Sequence, residues 1–179
     1  MTADYLTLMP DLRINYIYMD AETRSRYDQA CVGLHWSSKD LVKQCIQAFF
    51  KVNRDYYVEC AYQDCEAREM SVSDWYKTLR DGSDDDLRPY LDGRPAFGAT
   101  PLDTVPPVPT GPENKRLYNT LSMGGFNLVL LKTCKLVDLG PMSQVVSRIV
   151  AQHFDRYWAT NYAPQLDFDA TCSLPERKV

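Results

Sequence analysis

The sequence predicts an α+β fold in which a mostly antiparallel sheet packs against two or three amphipathic helices, with one long proline-rich loop. Short stretches that alternate between apolar and polar residues indicate strands, and apolar stripes at helical spacing indicate helices. Strands and helices do not alternate strictly along the chain, which favours antiparallel pairing over a parallel α/β sheet. The length of 179 residues favours one globular domain spanning residues 1–179.

The first strand and the first two helices are predicted from residues 12–50. Residues 12–19 alternate, as a half-buried strand does. Asp20 is placed to cap a helix over residues 21–36, for which Gly33 is an alternative earlier end, and Ser37 is placed to cap a second helix. An apolar stripe then marks the clearest amphipathic helix of the first half. This stripe comprises Leu41, Val42, Cys45, Ile46, Phe49 and Phe50.

One more strand and one short helix are predicted within residues 56–79. Apolar or aromatic side chains occupy every second position of residues 56–62, which predicts a strand. Ser71 or Ser73 precedes a short amphipathic run that ends near Leu79. Either serine can serve as the N-cap of a third helix.

Residues 81–113 predict a long surface loop, because seven of the eleven prolines in the chain lie there. Proline lacks a backbone N–H and is excluded from the interiors of helices and sheets. Loops of about 30 residues in compact domains are usually functional or disordered. Pro106, Pro107 and Pro109 form a PxxP motif that could bind an aromatic groove of a protein partner. A stiff exposed spacer is the alternative.

The strongest local pattern in the second half surrounds Gly124 and Gly125. Two apolar runs flank these glycines, and a glycine pair permits the positive φ angles of a tight turn. The sequence therefore predicts a β-hairpin whose strands are residues 117–123 and 126–137.

The C-terminal part of the chain predicts a helix followed by a tail. Residues 142–158 carry one broad apolar face, which is typical of an amphipathic helix. Residues 163–179 contain Pro164 and Pro175 and end in charged residues, so a flexible tail is expected there.

Charge and hydropathy narrow the classes of function. The chain has 20 basic and 24 acidic residues, a formal net charge of −4, which argues against a general nucleic-acid binder. Neither a secretory signal nor an apolar run of about 18 residues is recognisable, so we expect a cytoplasmic protein. The six cysteines are then expected to be reduced thiols.

Familiar catalytic motifs are missing from the sequence. It contains no GxxxxGK[ST] phosphate loop, no GxGxxG fingerprint and no GxSxG nucleophile elbow. The chain also has only two histidines, which leaves few ways to build a histidine-dependent triad. We therefore expect a protein that is not an enzyme and has no small-molecule substrate.

Four residues form a candidate zinc set, namely Cys31, His35, Cys60 and Cys65. Cys31 and His35 are four residues apart and share a face of the predicted helix, while the two later cysteines have C-x4-C spacing. Four such ligands could hold a tetrahedral zinc ion. The alternative is that the cysteines are core residues, since free cysteine is often buried.

Basic residues between positions 39 and 54 form a candidate partner-binding face. They are Lys39, Lys43, Lys51 and Arg54. Because exposed cations attract anionic surfaces, this face is expected to contact an acidic partner, with contacts that salt weakens.

Part of the chain resembles the matrix proteins of the rhabdovirus type. In residues 12–50 a strand leads into a helix with Arg24, Asp28 and Ala30, followed by the pair His35-Trp36. The segments that match the second half of the matrix domain and its closing helix are 112–136 and 142–158. The sequence departs from the family because it has neither a lysine-rich N-terminal arm nor a PPxY motif.

The resemblance implies a viral assembly protein that self-associates and links a nucleocapsid to the inner membrane surface. The missing arm puts membrane attachment and recruitment of budding machinery in question. The sequence leaves two other functions open: a small zinc- or cysteine-dependent regulatory or catalytic domain, and a monomeric adaptor that binds one protein partner.

Overall fold

The computed structural model describes residues 11–12, 14–91, 97–117, 121–172 and 174, and this part of the chain is predominantly helical. Within the described residues, 3₁₀-helical turns lie at Arg88–Leu91 and Pro112–Asn114, and a π-helical turn lies at Trp158–Tyr162. The strands and helices in chain order are β1 (Asp11–Leu12), β2 (Tyr16–Tyr18), α1 (Ala21–Gly33), α2 (Ser38–Ala67), α3 (Val72–Asp81), α4 (Asp84–Leu87), β3 (Lys115–Leu117), β4 (Leu121–Ser122), α5 (Gly125–Val137), α6 (Met142–Tyr157) and α7 (Ala163–Thr171).

The predicted α+β fold with a mostly antiparallel sheet is wrong. The described strands are two or three residues long and form two separate two-stranded ladders, β1 with β4 and β2 with β3. Both ladders are antiparallel, and in the second Tyr16 pairs with Leu117 and Tyr18 with Lys115. Ladders this small cannot form a layer, so helices supply most of the core.

The strand predicted at residues 56–62 is instead the second half of α2, which runs unbroken for 30 residues. Burial in this segment follows the helical period, because Tyr57, Cys60 and Asp64 are buried whereas Tyr62 is exposed. No glycine or proline interrupts residues 38–67. The alternation of residue types at 56–62 therefore does not produce a strand, because the helix continues through this segment.

The hairpin predicted around Gly124 and Gly125 is also wrong. Gly124 is the N-cap of α5 with a φ of −59°, and the second glycine begins the helix. Most of α5 is buried, and a helix buried almost all round has the same continuous apolar sequence as a buried strand. Residues 121–122 are extended, but they pair with β1.

Three predicted helix starts are confirmed by cap hydrogen bonds. The side chain of Asp20 accepts from the backbone N–H of Thr23 at 2.7 Å. Ser37 and Ser71 accept in the same way from residues three positions later, each at 3.1 Å. Such caps satisfy N–H groups that a helix leaves unpaired, and each contributes about 1 kcal/mol.

The core lies where α2 packs against both α5 and α6. The apolar stripe predicted on α2 is buried throughout, as expected. On α6 the predicted apolar face is buried as far as Phe154, whereas Tyr157 and Trp158 are half-buried. Phe154 packs edge-on against Tyr27 of α1 with ring centres 6.0 Å apart. A smaller apolar cluster, which we call the α3 cluster, consists of Cys65, Trp75, Leu79, Leu87, Val129 and Leu136.

Polar side chains of α6 hold the second half of the proline-rich segment. Gln144 both accepts from the N–H of Val108 at 3.2 Å and donates to its carbonyl at 2.8 Å. Arg148 donates to the carbonyl oxygens of Leu102 and Val105. The side chains of Leu102, Val105 and Val108 are buried. A segment without sheet or helix partners thus has its backbone polar groups satisfied by side chains.

The first half of that segment also contains regular structure. Helix α4 and the turn at Arg88–Leu91 lie within the predicted loop 81–113, and residues 92–96 are outside the described residues. Thr100 donates a hydrogen bond to Asp138, which also accepts from Tyr57 at 3.1 Å. These bonds join the loop to the end of α5 and to the middle of α2.

The segment predicted to be a flexible tail begins with a helix. Helix α7 covers residues 163–171, and none of its residues is buried. Residue 173 and residues 175–179 lie outside the described part of the chain.

Candidate interaction groove

Helices α2, α3 and α5 enclose an apolar groove of about 140 Å³, which we call the α3 groove. Its lining consists of apolar and aromatic side chains, with the hydroxyl groups of two tyrosines, the indole N–H of Trp75 and one thiol as the polar exceptions. The lining residues are Val58, Ala61, Tyr62, Cys65, Val72, Trp75, Tyr76, Leu79, Phe126, Val129 and Leu130.

Three large apolar side chains at the rim of the α3 groove are exposed. They are Tyr62 of α2, Val72 of α3 and Phe126 of α5, at 49%, 51% and 45% exposure. Single exposed apolar side chains are common, but several around one groove indicate a binding surface. The α3 groove is therefore the strongest apolar candidate site in the described chain.

Two lysines of α5 fix the position of α3 at the groove. Lys132 donates to the carbonyl oxygens of Arg80 and Gly82, at 3.1 and 2.5 Å, where α3 ends. A cation at the C-terminal end of a helix donates hydrogen bonds to the free carbonyl groups there and interacts favourably with the helix dipole. Lys135 forms an ion pair with Asp84 of α4. Burial lowers the pKa of Lys132, while the acidic residues nearby oppose that shift.

Trp75 forms the floor of the α3 groove and is only 2% exposed. The guanidinium group of Arg68 lies 5.3 Å from the centre of its ring and 4.9 Å from that of Tyr90. The indole N–H of Trp75 is buried and has no acceptor among the described residues. Because buried donors are almost always paired, this N–H is an exception within the described chain.

A basic cavity of about 380 Å³ adjoins the α3 groove and shares Phe126 and Leu130 with it. Its charged residues are Lys51 and Arg54, two members of the predicted partner-binding face, and both are exposed. Arg54 has only a 3.3 Å ion pair with its exposed neighbour Asp55, which is a weak interaction in water. The two cavities form one surface with an apolar end and a basic end.

Helix α7, in contrast to the basic cavity, exposes acidic side chains. Phe168 is exposed, and the exposed Asp167 and Asp169 flank it. Leu166 attaches α7 to the end of α1, where a Cβ on Gly33 would lie 2.1 Å from a methyl group of that leucine. Gly33 thus permits the close approach of α7, whose aromatic and acidic side chains remain exposed.

The four predicted zinc ligands are not brought together. Cys31 is half-buried on α1, and His35 is exposed in the connection to α2. Cys60 and Cys65 are five positions apart on α2, so they lie on different sides of the helix. No group of three or more His, Cys, Asp and Glu side chains among the described residues could hold a metal ion.

Several thiols lie in surroundings that keep them protonated. Burial raises the pKa of Cys31, Cys45 and Cys65, and raises that of Cys134 well above its usual value. A nucleophilic cysteine requires the opposite shift, because the thiolate is the reactive form.

The remaining predicted partner-binding residues lie at the surface. Lys39 is exposed and Lys43 is half-buried, both in the first turns of α2. Pro106, Pro107 and Pro109 are exposed, while Val108 between them is buried against α6. The PxxP motif is therefore fixed to the protein along one edge and open along the other.

The α3 groove was not predicted, because the sequence predicts strands for the parts of α2 and α5 that form two of the three walls of the groove. A usable signal was present, since Val58, Ala61, Tyr62 and Cys65 have the i, i+3, i+4, i+7 spacing of a helix face. Reading α2 through to residue 67 would have indicated an apolar face beyond residue 50.

The structure of the described residues contains no helix that is both long enough and apolar enough to cross a membrane. Neither a family model nor a curated protein nor a solved structure matches this chain.

Proposed function

We propose that this protein is a self-associating interaction protein in which α7 of one copy binds the α3 groove and basic cavity of the next. The observation that supports this proposal is chemical complementarity between two surfaces of the same chain. Phe168 suits the apolar end of the groove, and the exposed Asp167 and Asp169 on either side of it give α7 the acidic charge that the basic end at Lys51 and Arg54 attracts.

The geometry of such contacts favours chains or rings. The donor helix and the receiving groove lie on different elements, so the interface is heterologous and repeats from copy to copy. Apolar contact between the two surfaces provides affinity. The exposed charges determine how the surfaces align and make binding depend on salt. Assembly is therefore expected to increase with protein concentration and to decrease at high ionic strength.

The test uses charge reversal on each surface, measured by light scattering behind size exclusion at several protein concentrations. One variant carries Lys51→Glu and Arg54→Glu, and the other carries Asp167→Lys and Asp169→Lys. Each variant alone is expected to remain a monomer, because like charges then face each other. An equimolar mixture is expected to regain concentration-dependent growth, since each mixed interface pairs opposite charges.

Lys77→Glu on the exposed side of α3 serves as the control and is expected to assemble like the unmodified protein. A protein that stays monomeric at every concentration and salt level would contradict the proposal and favour the monomeric adaptor. Growth of either double variant alone, to the extent of the unmodified chain, would show that assembly uses another surface.

A matrix-type role is a second candidate, favoured by the placement of the predicted basic face. Lys39, Lys43, Lys51 and Arg54 lie within about 120° around the single helix α2, as their spacing dictates at 100° per residue. Basic residues on one side of a single rigid element suit an anionic lipid surface or a nucleocapsid.

Sedimentation with vesicles rich in phosphatidylserine tests this second candidate. Lys39→Glu with Lys43→Glu is expected to reduce binding at least about 30-fold at low salt, since each basic residue near an anionic surface contributes about 1 kcal/mol. Lys77→Glu with Arg88→Glu changes the net charge equally and is expected to have little effect. Equal loss in both double variants would indicate nonspecific attraction, and no binding by the unmodified protein would remove this candidate.

A further inference from the structure

A second cavity, of about 220 Å³, shares no lining residue with the α3 groove or the basic cavity, and we call it the amide pocket. It is enclosed by the connection between α1 and α2, by α2 and α6, by the π-helical turn and by the start of α7. Its lining residues are Leu34, Trp36, Gln44, Ala48, His153, Tyr157, Asn161, Tyr162 and Gln165. Pockets for drug-sized ligands are about 300–1,000 Å³, so this volume suits a smaller molecule.

The amide pocket has no charged lining. None of its residues is Asp, Glu, Lys or Arg. Its one histidine, His153, is buried, and burial lowers its pKa to about 4, so the ring is neutral near pH 7. Since a charged ligand normally requires a compensating charge, the pocket is suited to an uncharged molecule.

Three side-chain amides of the pocket are free to bind a ligand. The side chains of Gln44, Asn161 and Gln165 are exposed and form no hydrogen bond with any described residue. Each amide offers two N–H donors and one acceptor oxygen in a plane. A ligand edge that alternates donors and acceptors matches such groups.

Aromatic rings provide flat surfaces beside those amides. Trp36 is 39% exposed and Tyr157 is half-buried. Tyr162 is buried, stacks on Trp158 and forms a 2.8 Å hydrogen bond between its hydroxyl oxygen and Nε2 of His153, so its ring supports the pocket wall. Tyr162 and Asn161 belong to the π-helical turn, and such turns interrupt α-helices frequently at functional sites.

We propose that the amide pocket binds the adenine base of a nucleoside. Planar bases stack on aromatic side chains, and their edges bind polar side chains. Asn and Gln are the side chains that pair with N6 and N7 of adenine through two hydrogen bonds. This inference does not depend on the proposed self-association. It also departs from the sequence-based expectation of no small-molecule substrate, because the pocket exists only where residues 34–48 and 153–165, which are distant in the chain, meet.

Isothermal titration with adenosine tests the proposal on the full chain. Saturable binding at one site per chain is expected, and Gln44→Ala and Trp36→Ala are each expected to weaken it about tenfold. Gln47→Ala, on the same helix but in the basic cavity, is the matched control and is expected to leave the affinity unchanged.

Inosine provides the chemical control, because an oxygen replaces the N6 amino group that the amides are expected to bind. About tenfold weaker binding of inosine is expected. Three results would overturn the proposal: no saturable adenosine binding up to its solubility limit, equal binding of inosine, or adenosine binding that neither pocket variant changes. Unchanged circular dichroism spectra in both variants would show that lost binding does not reflect lost folding.

Discussion

Replacing Phe154 with alanine is expected to lower the free energy of unfolding by about 3–5 kcal/mol, the usual effect of truncating a buried phenylalanine. Phe154 is fully buried on α6. Its ring contacts Tyr27, Trp158 and Tyr162, with ring centres 6.0, 6.3 and 5.2 Å away. A cavity at this point would weaken the contact of α1 with α6 and the base of the π-helical turn. Urea denaturation followed by circular dichroism measures the change.

Phe168→Ala is the matched control, because it removes the same side chain from the exposed surface of α7. Exposed substitutions usually change stability by less than about 0.5 kcal/mol. Both variants are compared in dilute protein at high salt, so that self-association does not contribute. Equal stabilities of the two variants would contradict the packing described for α6.

The second large effect is a loss of stability in acid that depends on His153. Burial lowers the pKa of this ring from its usual 6.5 to about 4. The unfolded chain therefore binds a proton below about pH 6.5, whereas the folded protein resists doing so until about pH 4. The contribution of His153 to the free energy of unfolding is constant above pH 6.5. It decreases as the pH falls, by up to about 3 kcal/mol at pH 4.

His153→Gln is expected to remove this part of the pH dependence, because glutamine does not titrate and can still accept a hydrogen bond from Tyr162. Tyr162→Phe is the control: it removes the hydroxyl partner, leaves the histidine buried and is expected to retain the acid loss. The measurement compares urea denaturation midpoints near pH 7 and pH 4. A His153→Gln protein with the same pH dependence as the unmodified chain would show that other groups cause the loss.

Local signals determined much of the helical framework. Asp20, Ser37 and Ser71 cap the helices that they were predicted to cap, because a cap depends on a few adjacent residues. The apolar stripes of α2 and α6 were predicted correctly for a similar reason, since a helix face is defined by spacing within one segment.

Strands and hairpins were the main errors, and their cause is physical. A strand is stable only with a partner, and the sequence does not show whether a partner exists. Residues 56–62 and 126–137 have strand-like composition, but both are helical because they pack against each other within a helical core. Residues 121–122, by contrast, are extended because β1 lies beside them.

Some features of the candidate sites are likewise visible in single residues, whereas others exist only in the tertiary structure. The sequence by itself identified the basic residues Lys51 and Arg54 and the exposed prolines, because charge and proline content are properties of single residues. It could not reveal the α3 groove or the amide pocket, since each combines side chains from segments more than 60 residues apart in the chain. It grouped Cys31, His35, Cys60 and Cys65 by spacing, whereas the structure places them apart. Composition and local periodicity thus determined where the helices begin and which faces are apolar. Only the tertiary structure decided which faces meet, because burial of an apolar face depends on the other elements that pack against it.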